Sequence, residues 1–242
     1  GYAATMRERA LCDIALGHCL RVQGRYEEAR FLLERALFHF MLTEDQAGLS
    51  LVYGTLGYLL YFMGHYDQSR HYLLARLELP EVDTRTSDDC RFYACLGFLS
   101  YDQCEFEQAI DWFKKQIRLA ADIRDPSYVG DAMGGLALVY LETDDMDLAY
   151  DRIAEKMEIS RSIGARMGFA TAVGMLGKYY QMLGSNDQAE RCIAFCLEEA
   201  VRMKDWHIAT VVLGIGGCVL MEQNRYEEAE LLIERSIRLA QH

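Results

Sequence analysis

Six small residues stand 40 positions apart: Gly17, Gly57, Gly97, Ala137, Gly177 and Gly217. Twelve positions after each comes another small residue, at Ala29, Ser69, Ala109, Ala149, Ala189 and Ala229. A fixed period of this length means that one packing unit is stacked repeatedly, and it outranks any local reading of fold. Each repeat holds two runs of helical periodicity. In the first, Leu11, Ile14, Ala15 and Cys19 share one helix face, and Ala29, Leu32, Leu33, Ala36 and Leu37 share the next. The break between the runs falls at Gly24, Gly64, Cys104, Asp144, Gly184 and Asn224. Gly and Asn accept the left-handed conformation that ends a helix, Asp144 is tolerable, and Cys104 is a poor fit. Two positions further sit Tyr26, Tyr66, Phe106, Met146, Asn186 and Tyr226. Five of these can wedge into the hairpin, so Asn186 predicts a looser turn. Helices joined by so short a turn lie antiparallel and close. A helical Gly costs about 0.8–1 kcal/mol relative to Ala, so close backbone approach must offset it at these places.

These residues resemble the tetratricopeptide repeat. The second repeat reads Tyr53, Leu56, Gly57, Leu60, Gly64, Tyr66, Ser69, and the fifth reads Val173, Leu176, Gly177, Tyr180, Gly184, Asn186, Ala189. The resemblance covers nearly the whole chain but departs in length, since the usual period is about 34 residues. The extra residues fit about one more helical turn plus a longer connection. Repeats of this length look like those of polarity adaptors and of the sensor arms of bacterial signal-transducing ATPases and transcription activators. The resemblance implies an all-α, right-handed α-solenoid of six helix-turn-helix repeats. Their bounds fall at about 5–44, 45–84, 85–124, 125–164, 165–204 and 205–242, in one continuous domain, 1–242.

Composition agrees with a helical array. Both prolines, Pro80 and Pro126, fall between repeats, and Asp125-Pro126 reads as an N-cap and first helical residue. Other expected N-caps are Thr43 or Asp45, Ser87 and Asp205. No apolar run approaches the roughly 20 residues that span a bilayer, so no membrane contact is expected. The last repeat stops at its second helix with Leu231, Leu232, Ile233 and Ile237 uncovered. Either the natural protein continues past this point or a homodimer covers that helix.

The 8 cysteines include no CxxC pair and no Cys–His pair at zinc-ligand spacing, so buried, unpaired thiols and a cytoplasmic location are expected. Neither cofactor nor metal is expected. A net charge of −12 argues against nucleic acid. It either serves solubility or steers a basic partner.

In such a stack the first helix of each repeat lines the inner, concave wall, and its positions form ladders. One ladder reads His18, Tyr58, Phe98, Leu138, Lys178, Cys218. A second reads Arg21, Tyr61, Tyr101, Leu141, Gln181, Met221, and a third Val22, Phe62, Asp102, Glu142, Met182, Glu222. Tyr58, Tyr61, Phe62, Phe98 and Tyr101 therefore gather in repeats two and three. Each ring either lines the wall or packs between helices. As a cluster they suit a peptide pocket, because rigid rings give large contact area at low entropy cost. Replacing Tyr61 and Tyr101 by Ala should weaken capture without unfolding. Asp131, Glu142, Asp144, Asp145 and Asp147 crowd the fourth repeat, as a solvated edge or a contact for Lys or Arg. Asp102 belongs to the same wall, and Arg91 and Lys178 are its basic members in repeats two to six. The family's clamp for heat-shock chaperone tails uses Lys and Asn; the matching positions here are Ile14, His18, Gly54, Tyr58, Ala94 and Phe98. That clamp is absent.

No catalytic constellation forms. Gly214-Ile215-Gly216-Gly217 and Gly134-Gly135 follow no strand, His65, His71 and His207 are scattered, and Glu27/Glu28 and Glu227/Glu228 suit helix starts. The expectation is a non-enzymatic scaffold that captures a peptide or protein segment on its concave surface. The alternative is a ligand-sensing arm of a larger signal-transducing regulator.

Overall fold

The computed structural model describes residues 2–79, 86–203, 213, 216–217, 220–221 and 224–240. It forms two compact units, Gly1–Ile123 and Arg124–His242. The first holds α1 (Tyr2–Val22), α2 (Tyr26–Leu42), α3 (Gln46–Phe62), α4 (Tyr66–Glu78), α5 (Ser87–Asp102) and α6 (Phe106–Asp122). The second holds α7 (Pro126–Glu142), α8 (Met146–Ser162), α9 (Arg166–Met182), α10 (Asn186–Met203) and α11 (Tyr226–Ala240). The architecture is the all-α array of helical hairpins that the repeat predicts.

Most helices start 20 residues after the one before, and six are 17 residues long. At a rise of 1.5 Å per residue each of these is roughly 26 Å long. Connections between repeats, such as 123–125 and 163–165, are as short as those within them. The long period therefore lies in the helices, and a longer connection of the kind expected from the family comparison separates α4 from α5.

One backbone device makes every short connection. The second residue of each three-residue break has positive φ, at Gly24, Glu44, Gly64, Cys104, Arg124, Asp144, Gly164, Gly184 and Asn224. At eight of these nine turns the following amide bonds back five residues, as in Arg25 to Leu20 (2.9 Å), Glu105 to Ser100 (2.7 Å) and Ser185 to Tyr180 (2.8 Å). This is the Schellman closure, which satisfies carbonyls left over at a helix end. The same residue's carbonyl then accepts the first bond of the next helix, as Arg25 does from Ala29 (3.1 Å). The turn before Asn186 is no looser than the others, because its geometry is set by these backbone bonds and not by the wedge side chain. Cys104 takes φ 59 despite its side chain. Left-handed geometry costs a non-glycine residue about 1–2 kcal/mol. Cys104→Gly is expected to raise the thermal midpoint by about 2–4 °C per kcal/mol relieved, read by a circular-dichroism melt.

Caps follow the sequence with one shift. The Asp45 carboxylate accepts from the Gly48 amide (3.0 Å) and Asp125 from Ser127 (3.0 Å). At α5 the cap is Thr86 rather than the expected Ser87, because Thr86 and Asp89 form a reciprocal capping box that places Ser87 inside the helix. Pro80, Asp205, His207, Cys218 and Glu222 lie outside the described residues.

The small residues do pack as their spacing implies. A Cβ on Gly57 would sit 2.7 Å from Leu73 Cγ and 3.2 Å from the Ser69 carbonyl, and one on Gly97 would sit 2.6 Å from the Phe113 ring. The Ser69 hydroxyl donates to the Gly57 carbonyl (2.6 Å), tying the two small positions of that repeat together.

Within each unit the first helices touch one another, α1 to α3 to α5 and α7 to α9, whereas the described second helices do not. First helices thus form a wall within each unit. Cys90, Cys95, Cys192 and Cys196 are buried, but Cys12, Cys19 and Cys104 are exposed. This corrects the expectation of buried thiols. Cys104 sits in a turn, and Cys12 and Cys19 lie on the outward side of α1. Burial raises the Cys95 thiol to about 12. Among the described residues no helix is long and apolar enough to cross a membrane.

Candidate functional site

In the N-terminal unit the wall of first helices contains a groove of about 750 Å³. Its floor is one face of α3, where Ala47, Leu51, Thr55 and Tyr58 recur at helical spacing. Small side chains at Ala47, Ser50 and Thr55 leave room above that helix. Ile14, His18 and Arg21 of α1 form one side, and Asp88, Arg91 and Phe92 of α5 form the other.

Arg76 reaches the groove from α4, the outer helix of its hairpin, and is only 3% exposed. Its Nη2 donates to Asp89 Oδ1 (2.7 Å), and Asp89 is fully buried. The other Asp89 oxygen accepts from the Thr86 amide (3.1 Å) and belongs to the capping box. Nη1 of Arg76 is buried with no hydrogen-bond partner. The Arg21 guanidinium lies over the rings of Tyr58 (4.8 Å) and Phe62 (5.2 Å), and its Nε is likewise buried without an acceptor. Arg91 is exposed and pairs with Asp88 (3.1 Å). Burial lowers the pKa of His18, and Arg21 and Arg91 lower it further against the pull of Asp88. The groove is thus cationic in a chain of net charge −12.

Of the ten expected contact residues, Tyr58 and Arg91 line this groove. Phe62 stands beside it, 42% exposed, edge-on to Tyr58 (5.0 Å) and Tyr61 (5.5 Å). Tyr61 is half-buried, stacks on Tyr66 (5.8 Å) and donates its hydroxyl to Asp102 (3.3 Å). Desolvation raises the pKa of both Tyr61 and Asp102. Phe98 meets Phe113 edge-on (5.2 Å) and Tyr101 tilts on Phe106 (6.2 Å), each half-buried. These rings carry packing as well as surface, so Tyr61→Ala also opens a void beneath it. In the C-terminal unit Lys178 pairs with Glu142 (2.6 Å) and Asp131 with buried Lys156 (3.4 Å). A smaller cleft there, of about 370 Å³, has Glu199 paired with both Arg166 and Arg202. Its lining holds Arg161, Arg166 and Arg202 against that one carboxylate.

His18 and Arg21 stand on the ladders read from the sequence, but Arg76 does not, because it belongs to a second helix. A signal for it exists: the core position three residues after Leu33, Leu73, Phe113 and Ile153 holds Ala36, Arg76, Gln116 and Lys156. All four are buried, so charged residues there must project between the first helices.

No protein-family model matches the chain, and no curated protein matches it. Solved structures do. The Rap conjugation-gene regulator of plasmid pLS20, in complex with the Phr* peptide, superposes with TM-score 0.75 at 15% identity, over 97% of this chain and 63% of that one. A signal-transduction ATPase with a tetratricopeptide-repeat sensor from Pyrococcus horikoshii gives 0.73 at 18% identity, over 99% of this chain and 37% of that one. A kinesin light chain with tetratricopeptide-like repeats from Podospora anserina gives 0.63 at 12%, over 82% and 97%. The fold is that of the tetratricopeptide repeat. At these identities the likeness is one of fold.

Proposed function

We propose that the chain is a non-catalytic scaffold that captures a peptide or protein segment on its first-helix wall. The observation that carries this reading is the groove over α3, which joins apolar side chains to a few convergent charged groups, as ligand sites do. Its floor runs from Ala47 to Tyr58, roughly 16 Å of helix, enough for about five extended residues. The peptide-bound regulator of similar fold supports the same use of the architecture. A sensing arm of a larger regulator would work through the same groove, and the fold likeness to the sensor-bearing ATPase supports that version.

The test is selection of a random peptide library displayed on phage, followed by hydrogen exchange of the chain with the enriched peptides. The expected result is micromolar binders whose protection falls on α1, α3 and α5. Protection confined to α2, α4 and α6, or no enrichment over an unrelated helical protein, overturns the proposal.

A further inference from the structure

We infer that the groove over α3 reads an acidic side chain of the bound segment, seating its carboxylate between Arg76, Arg21 and Arg91. The inference rests on the peptide-binding reading above and names the chemistry of the partner.

Three observations carry it independently of composition. First, Arg76 is more than nine-tenths buried, yet one of its two terminal nitrogens has no acceptor. Its ion-pair partner, Asp89, is committed through its second oxygen to the α5 cap. A buried guanidinium N–H left unpaired is costly, and an incoming carboxylate relieves that cost. Second, Arg21 also presents a buried Nε without an acceptor, held in place by the Tyr58 and Phe62 rings. A guanidinium fixed by stacking has lost its rotamer freedom before the ligand arrives. Third, three guanidinium groups face the groove against two carboxylates, Asp88 in the lining and Asp89 behind Arg76, so the groove is net positive. The chain as a whole carries a net charge of −12, so the sign of this groove is opposite to that of the total. A basic partner steered by the overall charge would meet like charge here. Ile14, Leu51 and Phe92 flank the arginines and suit an apolar neighbour of the acidic residue.

Nothing in this arrangement repeats the lysine–asparagine clamp, whose positions are filled otherwise in this chain. The acceptor-seeking nitrogens come from a first helix and from the outer helix α4. That places the anion deep in the groove, where the side chain of a passing segment reaches it.

The experiment uses the full chain and an array of synthetic hexapeptides with varied apolar residues in four matched sets. One set carries an internal Glu and an amidated terminus. The second carries Gln at that position and a free terminus, the third Gln with an amidated terminus, and the fourth Lys with an amidated terminus. Affinities are read by fluorescence anisotropy for the chain and for the double variant Arg21→Gln/Arg91→Gln, whose melt is checked against the parent. Arg76 is left in place because its removal strands Asp89.

The expected result is at least tenfold tighter binding of the Glu set than of the matched Gln-amide set, about 1.4 kcal/mol. In the double variant that ratio falls to about twofold or less. Preference for the free-terminus set over the Glu set overturns the side-chain assignment and gives the arginines to a terminal carboxylate. Equal binding of the Glu and Gln-amide sets, or tighter binding of the Lys set, overturns the inference while leaving peptide capture standing. An array with no binder in any set overturns both.

Discussion

Replacing Asp89 by alanine is expected to destabilise the N-terminal unit by about 3–5 kcal/mol, the usual consequence of stranding one member of a buried ion pair. Arg76 is 3% exposed and Asp89 fully buried, and a 2.7 Å bond pairs them. Without the carboxylate, neither terminal nitrogen of Arg76 has an acceptor. The α5 capping box is lost as well, which adds about 1 kcal/mol. Guanidinium-chloride unfolding measures the loss. The companion variant Arg76→Met/Asp89→Ala removes both charges, and an apolar side chain of similar length fills the space. It is expected to recover all but about 1–2 kcal/mol, because replacing a buried pair by apolar groups is close to neutral. A single Asp89→Ala change that costs under 1 kcal/mol contradicts the burial of the pair. A double variant no more stable than the single would mean that the loss comes from the cap.

Gly54→Ala is expected to destabilise the same unit by about 1–3 kcal/mol, although alanine is the better helix former by about 1 kcal/mol. A Cβ at Gly54 would lie 2.0 Å from Phe92 Cζ and 2.6 Å from each of Cε1 and Cε2. Either α3 and α5 separate or the Phe92 ring swings into the groove. The second variant Phe92→Leu shortens the side chain where the clash falls. In the double variant Gly54→Ala/Phe92→Leu the glycine change is expected to become neutral or favourable, a coupling of at least about 1 kcal/mol. If Gly54→Ala stabilises the unmodified chain, the close contact of α3 with Phe92 is wrong.

Both variants show where the sequence was informative. The 40-residue step in small residues located every hairpin contact that the structure shows at Gly17, Gly57, Gly97, Gly177 and Gly217. Glycine is required there because side chains such as Leu73 and Phe113 occupy the space of its missing Cβ. Periodicity made that visible, since the same packing recurs in each repeat. Gly54 stands on a second 40-residue ladder, Ile14, Gly54, Ala94, Gly134, Gly174 and Gly214, but Phe92 lies on the next first helix and not in the same hairpin, so the period marked the small residue without naming its contact. The turn at Cys104 is the opposite case, since the residue type argued against a conformation that the repeat imposed. There the two backbone closures, Cys104 to Tyr101 (2.9 Å) and Glu105 to Ser100 (2.7 Å), outweigh the side-chain preference.

The candidate site was legible only in part. Tyr58 was identified from a ladder of first-helix positions and Arg91 as a basic residue of the inner wall, and both line the groove. Tyr61 and Tyr101 stand on the same ladders but also pack on Tyr66 and Phe106. A ladder fixes a helical face without fixing how far each ring leans into its neighbours. Arg76 escaped because it reaches the wall from behind. Its pairing with Asp89 depends on a cap at Thr86, one residue away from the cap that the sequence suggested. The groove's positive character was hidden by the acidic total, which sums surface charge over the whole chain and says nothing about one concave patch.

The central claim is that partners dock on the first-helix wall over α3. Photo-crosslinking with the peptides selected by display tests it most directly. A benzophenone amino acid placed at Thr55, on the groove floor, is expected to capture the peptide on irradiation. The same group at Phe38, 66% exposed on the outer helix α2, is expected to leave it free. Capture at Phe38 and none at Thr55 would contradict the account.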